Sequence, residues 1–379
     1  MASDAHVFLA IIAAVRIHLF DHLKNPVTVA MVAQKYPRSD QIPELLQVLS
    51  ACGFVIEREG MFVNSPLAAG FLVQDSPYSQ EEYIEKLQDR LSDLWVRLPE
   101  IIRSGPVQYN KADFFSRMIL PSMAANALTG RLQQVVRTIM DLPGITEASR
   151  MLDLGGGHGL YAIALARLNP GLECTVFDLP ESAGICRGYI EKYDVQDRVS
   201  FVSGDFFRDD FGSGCNLILS SSTPGGKDAG MVKRICDGLM PGGYFVNVQG
   251  GDDGPERDSV SELERRMWRL SDEKKWRVRG EKKRPFLSGG YLDALSRAKM
   301  EMVSVAPIED PFRSDAALTM IVCQKPCKPA DGAWFPMNMG AGFVFPPWAG
   351  QGSSLSGHQN PVLSGLKRDR SLATQDCRL

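Results

Sequence analysis

The stretch Asp153-Leu154-Gly155-Gly156-Gly157-His158-Gly159 joins an acidic residue to an alternating glycine loop, a pattern that lets backbone approach a ligand closely. Two more carboxylates occupy comparable settings downstream: Asp178 in Val176-Phe177-Asp178-Leu179-Pro180 and Asp205 in Gly204-Asp205-Phe206-Phe207. A carboxylate at a strand end can accept hydrogen bonds from two neighbouring hydroxyls, which suits Asp178 to a ribose. Asp205 offers its oxygens to an exocyclic amine, and Phe206 offers an aromatic face to a purine. The chemistry implied is recognition of a nucleoside that carries a cationic group near Asp153.

Two ligands compete for this pattern. A dinucleotide calls for G-x-G-x-x-G, and the frame Gly155-x-Gly157 puts Leu160 at the third position. The frame Gly157-x-Gly159 gives Ala162 there, so the dinucleotide stays open as the weaker fit. An acid ahead of the loop suits the ammonium group of S-adenosylmethionine and would repel a pyrophosphate. Asp178 serves either ligand, but the three strand ends together favour the methyl donor.

The elements that must position these residues are legible in the apolar pattern. Strands are expected at Arg150–Leu154, Glu173–Asp178, Val199–Ser203, Cys215–Ser220 and Tyr244–Gln249, with helices between them, which is the signature of a doubly wound, Rossmann-like α/β sheet. A last pair, Met300–Pro307 and Ala316–Gln324, is joined too tightly for a parallel crossover and should form an antiparallel terminal hairpin. Ahead of the sheet, Val7–Leu23, Val27–Gln34 and Ile42–Cys52 read as helices and Gly53–Val63 as a hairpin, which together make a winged helix-turn-helix. Between Gln80 and Met140 the pattern is helical again, broken at Pro99, Gly105-Pro106, Pro121 and Gly130.

With these motifs in this order, residues 7 to 325 resemble the class I S-adenosylmethionine-dependent O-methyltransferases that carry an N-terminal winged-helix dimerisation domain. Leu239-Met240-Pro241-Gly242-Gly243 before the fifth strand adds to the likeness. The resemblance implies a homodimer, a cytoplasmic enzyme, and an aromatic or polyketide-like small-molecule acceptor. The donor site it implies comprises Asp153, Gly155, Gly157, Asp178, Leu179, Gly204, Asp205, Phe206 and Ser220. It also implies an acceptor pocket roofed by Phe115, Met123 and Asn126 on the bridging helices and by Met267 and Trp268 on a helix after the fifth strand. Core packing is the competing reading for these five.

The departure from the family is as informative as the match. The family's general base is a His in Leu-His-x-Trp-x-Asp after the fourth strand, but this chain reads Leu219-Ser220-Ser221-Ser222-Thr223-Pro224-Gly225-Gly226-Lys227-Asp228. Counting back from Pro241 puts the base position at Ser221 or Ser222. The chain has five histidines, and none lies between His158 and His358. Gln249 replaces the acid that usually closes the fifth strand. Asp252 and Asp253 are candidate substitutes, and His158 sits inside the glycine loop, where the family places a non-catalytic one. No catalytic residue is therefore assigned. A phenol of pKa ~10 is about 4 kcal/mol short of full ionisation at pH 7, so an acceptor without a base must be more acidic or otherwise nucleophilic. A carboxylate, a thiolate, an acidic hydroxyl or an activated carbon would serve. The alternative is a donor-binding homologue that does not methylate and acts as a regulator.

Composition narrows the classes. The 379 residues suggest two or three domains, and a net charge of −3 with 23% charged residues excludes a globally basic nucleic-acid binder. The segment in the recognition-helix position, Asp40 to Cys52, contains no Lys or Arg, which argues against a DNA regulator. The apolar run Val7–Val15 is too short to span a bilayer and has no basic residue before it, so neither a membrane span nor a secretory signal is expected. Eight scattered cysteines read as reduced cytosolic thiols, and Cys323-x₃-Cys327 lacks companions for a metal site, so no metal is expected. A basic run from Arg265 to Arg284 follows the pocket residues and reads as a solvated face, with an anionic or carrier-bound acceptor as the sharper alternative. The expected organisation is a dimerisation domain at 1–95, a methyltransferase domain with its helical bridge at 96–326, and a Pro/Gly/aromatic then polar tail at 327–379 without ordered packing.

Overall fold

Sequence segments that are apolar on both faces pair into a buried parallel sheet, and here four such segments do so, with a half-exposed fifth, Val199–Ser203, at the edge. The computed structural model describes residues 2–38, 40–250, 259–270, 289–308 and 318–327. The first helix, α1 (Ala2–Arg16), stops before His18, whose φ of 53° is left-handed, and a short 3₁₀ turn, Leu19–Leu23, follows. The single helix expected over Val7–Leu23 is thus two pieces. A two-residue strand, β1 (Val27–Thr28), precedes α2 (Val29–Ala33), because the Thr28 hydroxyl caps the helix by accepting the Met31 amide at 3.3 Å. The helix expected over Val27–Gln34 therefore begins one strand late. After α3 (Ile42–Ala51), β2 (Val55–Arg58) and β3 (Met61–Asn64) pair antiparallel with β1 in the order β1-β3-β2. Leu19, Phe20, Leu46, Leu49 and Phe62 fill the core beneath them.

The chain continues through α4 (Pro66–Phe71), α5 (Glu81–Arg90) and α6 (Leu98–Ser104) into a short strand, β4 (Val107–Tyr109). That strand corrects the wholly helical expectation for Gln80–Met140; three residues beyond a Gly-Pro break are too few to show a strand period. Next come α7 (Lys111–Phe114), α8 (Leu120–Asn126) and α9 (Leu132–Met140). Three π-helical turns, Leu91–Trp95, Phe115–Ile119 and Ala127–Arg131, interrupt this bridge. Such turns are rare and concentrate near functional sites.

The main sheet comprises β5 (Arg150–Leu154), then α10 (Leu160–Leu168), β6 (Glu173–Asp178), α11 (Ala183–Lys192), β7 (Val199–Ser203), β8 (Cys215–Ser221), α12 (Met231–Gly238) and β9 (Leu239–Gly250). Beyond β9 lie α13 (Ser259–Arg266), β10 (Trp268–Leu270), α14 (Gly289–Arg297), β11 (Glu301–Ile308) and β12 (Leu318–Gln324). The strand order is β11-β12-β9-β8-β5-β6-β7, with five parallel strands and β11 and β12 antiparallel at one edge. This matches the expected doubly wound sheet and terminal hairpin. Leu152, Leu154, Ile218 and Phe245 bury one face against Met231, Ile235, Tyr291 and Leu295, and α10 covers the other. The winding direction reverses between β5 and β8, where the strand ends diverge and leave a crevice.

One placement differs from expectation. Trp268 lies on β10, which pairs parallel with β4 in the register Trp268↔Val107, and Met267 sits at the junction after α13. Neither residue is on a helix, because the backbone groups here bond across to β4. Met1–Cys327 form one compact unit; the second unit, Lys328–Leu379, lies outside the described residues, as do Asp252, Asp253 and the residues of the basic run from Lys274 to Arg284. Among the described residues no helix is long and apolar enough to cross a membrane.

Candidate functional site

The crevice at the switch point is floored by the glycine loop after β5. Gly155 has φ +72°, and a Cβ there would come within 2.6 Å of the Thr223 methyl and 3.2 Å of the Phe206 ring. A side chain on Gly156 would come within 2.6 Å of an Asp153 oxygen. The loop is therefore backbone pressed directly onto the strand ends, with the Gly155 amide donating to the Phe177 carbonyl at 2.8 Å and the Gly159 amide to the Gly156 carbonyl at 2.9 Å.

Asp153 is 1% exposed, and neither of its oxygens has a well-formed hydrogen bond. Burial, reinforced by the charge of Asp178, raises its pKa to about 7, with only partial relief from the Ala162 amide. A buried carboxyl without partners is unfavourable unless it stays neutral or meets a cation. Asp178 is arranged differently. Its Oδ2 accepts the Gly157 amide at 2.7 Å and its Oδ1 accepts the Leu179 amide at 2.6 Å. Burial still raises its pKa, opposed by those amides and by the Ser182 hydroxyl.

The third strand end is built by Gly204, Asp205 and Phe206. Gly204 packs against the Phe177 ring, Asp205 is half-buried and accepts the Phe207 amide at 3.0 Å, and Phe206 is wedged beside Gly155 and Gly225 with 8% of its surface exposed. Ser220, fully buried at the end of β8, shares a 2.7 Å hydrogen bond with Thr223. All nine residues expected to hold the donor thus lie on or beside four adjoining strand ends and their loops.

His158 is buried, its Nδ1 accepts the Leu160 amide at 3.1 Å, and burial together with nearby Arg131 lowers its pKa to about 3. It is a neutral fixture of the loop. Arg131 was not legible as a site residue in the sequence, yet its Nε is buried without a partner close to this loop. The Gly130-Arg131 pair at a helix break was the available signal, since Gly130 has φ +126°. The Tyr161 hydroxyl, on a ring stacked 6.1 Å from His158, is likewise buried without a partner.

At the expected base position Ser221 ends β8 half-buried, and Ser222 is exposed with φ 58°, its amide donating to the Val248 carbonyl at 2.7 Å. Gln249 is 1% exposed and donates to Asn247 Oδ1 at 2.9 Å, inside the sheet.

The bridge reaches over this crevice. Leu120 at the start of α8 packs on Gly157, and the π turn Phe115–Ile119 packs on the turn Pro180–Ser182 that follows Asp178. Phe115, Met123 and Asn126 are half-buried there. Trp268 stacks on Phe114 at 4.5 Å, and Phe114 on Tyr109 at 5.3 Å. The five expected roof residues do not form one surface, because Met267 is 1% exposed and packs into a core with Leu94 and Ile101. Glu264 fastens this part by accepting from Trp95 Nε1 at 2.9 Å and pairing with Arg90. Arg265 and Arg266 pair with Glu262 at 2.7 and 2.8 Å, which makes them a solvated face.

A family model described as the O-methyltransferase domain matches residues 108–251. The acetylserotonin O-methyltransferase of Mus musculus is 32% identical over 297 residues, covering 68% of this chain and 75% of that protein. The tetracenomycin polyketide synthesis 8-O-methyl transferase TcmO of Streptomyces glaucescens is 30% identical over 254 residues, covering 62% and 73%. The crystal structure of human N-acetylserotonin methyltransferase in complex with SAM aligns over 86% of this chain and 95% of that one with TM-score 0.56 at 19% identity, a likeness of fold.

Proposed function

The chain belongs to the S-adenosylmethionine-dependent O-methyltransferase family, and from that premise we propose that it methylates a small aromatic or conjugated acceptor without a histidine base. When bound, S-adenosylmethionine supplies an electrophilic methyl group on a sulfonium centre. The residues present suit it. Asp153 is a buried carboxylate in need of a cation, Gly155 to Gly157 form a cradle that side chains would fill, and Arg131 Nε is a buried donor in need of an acceptor. In this reading Asp153 meets the donor's ammonium end, Arg131 its carboxylate, Asp178 the ribose hydroxyls, and Asp205 with Phe206 the adenine. The observation that carries it is the contrast between Asp178, already anchored to the Gly157 amide, and Asp153, unpartnered beneath the same loop.

The acceptor lies under the bridge, between the π turn at Phe115 and the ends of β8 and β9. Ser221, Ser222 and Gln249 supply no base in the neutral range, and His158 is locked neutral in its loop. Acceleration then comes from holding the attacking atom in line with the methyl group and excluding water. The acceptor arrives as a carboxylate, thiolate, acidic hydroxyl or activated carbon. The relatives support a fused aromatic or polyketide class, since one is named for tetracenomycin and another for 3-hydroxy-5-methyl-1-naphthoate.

The N-terminal residues 1–95 serve as the winged-helix dimerisation domain. Exposed Leu9 at 52%, together with Met31 at 53% and Leu67 at 48%, supports pairing with a second copy. The test of the whole reading is isothermal calorimetry with S-adenosylmethionine, followed by incubation of the protein with isotope-labelled donor and candidate acids, thiols and acidic phenols. A labelled product establishes the enzyme. Tight binding without product favours the second reading, a donor-binding regulator, to which the serines at the base position point. No binding ends both.

A further inference from the structure

Asn247 stands in the middle of β9 and is fully buried, between apolar neighbours Val246 and Val248 that are buried as well. A neutral amide in a sheet core is tolerated only when its polar atoms are bonded. Its Nδ2 donates to the Gly226 carbonyl at 2.7 Å and to the Tyr291 hydroxyl on α14 at 2.7 Å, while its Oδ1 accepts from Gln249. One amide thereby joins a central strand, a helix on the sheet face and the 3₁₀ turn Pro224–Lys227.

That turn is the back wall of the crevice. A Cβ on Gly226 would come within 2.5 Å of Asn247 Oδ1 and 2.9 Å of Ser220 Oγ, so the turn lies flat on the polar network. On its other side a Cβ on Gly225 would come within 2.6 Å of the Phe206 ring. Thr223 opens the turn, accepts the Gly226 amide at 3.3 Å, and places its methyl group over Gly155. A turn with two adjacent glycines loses much backbone entropy on ordering, and side-chain bonds from the sheet core are what hold it in one conformation.

We propose that Asn247 and Tyr291 are positioning residues for donor binding, fastening the turn Pro224–Lys227 so that Thr223 and Phe206 present a fixed wall to Gly155. The inference rests on the reading of the glycine loop as the donor site. Asn247 reaches the turn through the Gly226 carbonyl, and Tyr291 acts through Asn247. The sequence carried a hint in a polar residue at a central-strand position, but only the fold shows which turn it holds.

The experiment uses the full chain as wild type, Tyr291→Phe and Asn247→Asp. The first variant keeps the ring and removes one oxygen. The second keeps the shape and turns an acceptor toward the Gly226 carbonyl. S-adenosylmethionine affinity is measured by calorimetry, and amide hydrogen exchange is followed without ligand. The expected loss of affinity is about fivefold for Tyr291→Phe and about tenfold for Asn247→Asp. Exchange at residues 222–228 should quicken about tenfold while β5 and β6 stay protected and the acceptor KM is unchanged. Unchanged affinity in both variants, or exchange that quickens evenly across the whole sheet, overturns the proposal. If Asn247→Asp does not fold, Tyr291→Phe decides alone. A wild type that binds no S-adenosylmethionine removes the donor-site reading instead, and the exchange data still decide whether the two residues hold the turn.

Discussion

The Asp178 carboxylate accepts the Gly157 amide at 2.7 Å, tying the end of β6 to the glycine loop that follows β5. One carboxylate thus shapes the loop and still faces the crevice. Asp153, directly beneath Gly156, has no such anchor. The difference between these two acids sets most of what can be measured at the site.

Replacing Asp178 removes the anchor of the loop together with the proposed ribose acceptor. Asp178→Ala should weaken S-adenosylmethionine binding by about 1.5–3 kcal/mol, read by calorimetry. An unaltered dissociation constant would mean that the donor lies elsewhere.

Asp153 gives a pH dependence with a definite sign. Its folded pKa is about 7 against an ordinary 3.8, so the native chain holds the proton more tightly than the unfolded one. The stability this group allows is complete below about pH 4 and declines as the pH rises to about 7, by an amount on the order of a few kcal/mol. Asp153→Asn removes that slope. Thermal melts of both proteins at pH 5 and pH 8 should show the variant gaining on wild type at the higher pH, and also binding the cationic donor more weakly. Parallel melting curves across that range would count against an unpartnered buried Asp153.

At saturating donor the rate profile should reflect the acceptor, while the titration of Asp153 near 7 enters through donor affinity. His158, at about 3, contributes no inflection between pH 6 and 9. Ser221→Ala should leave kcat within about threefold, whereas Ser221→His should raise the rate on a weakly acidic phenol about 10²-fold below the phenol's own pKa. Loss of all turnover in Ser221→Ala would reveal a catalytic role for that hydroxyl.

The Trp268 ring stacked on Phe114 at 4.5 Å predicts a split in kinetic constants. Trp268→Ala should raise the acceptor KM severalfold and leave donor affinity unchanged. A matching loss of donor affinity would place this aromatic stack beside the donor instead.

Much of the site was legible early because its physics is local. The glycines must admit close backbone, and a carboxylate after an apolar run marks a strand end, so Asp153, Asp178 and Asp205 could be placed by spacing alone. Arg131, Asn247 and Tyr291 were not legible, because a lone arginine after a helix break, an amide within a strand and a tyrosine on a distant helix carry no shared period. The sequence pattern puts Trp268 on a helix because its three-residue strand exists only through pairing with Val107–Tyr109, 159 to 161 positions earlier in the chain.

By itself the sequence determined the doubly wound sheet, its antiparallel edge, the donor class and the lack of any histidine between His158 and His358, since each follows from residue type and short-range spacing. Only the tertiary structure decided that Asp153 is buried without a partner while Asp178 is anchored, that Gln249 turns into the sheet, and that Asn247 bonds both the Gly226 carbonyl and the Tyr291 hydroxyl. These depend on which groups from separate elements meet in a low-dielectric interior, where an unmet hydrogen bond or charge is expensive and a met one fixes geometry.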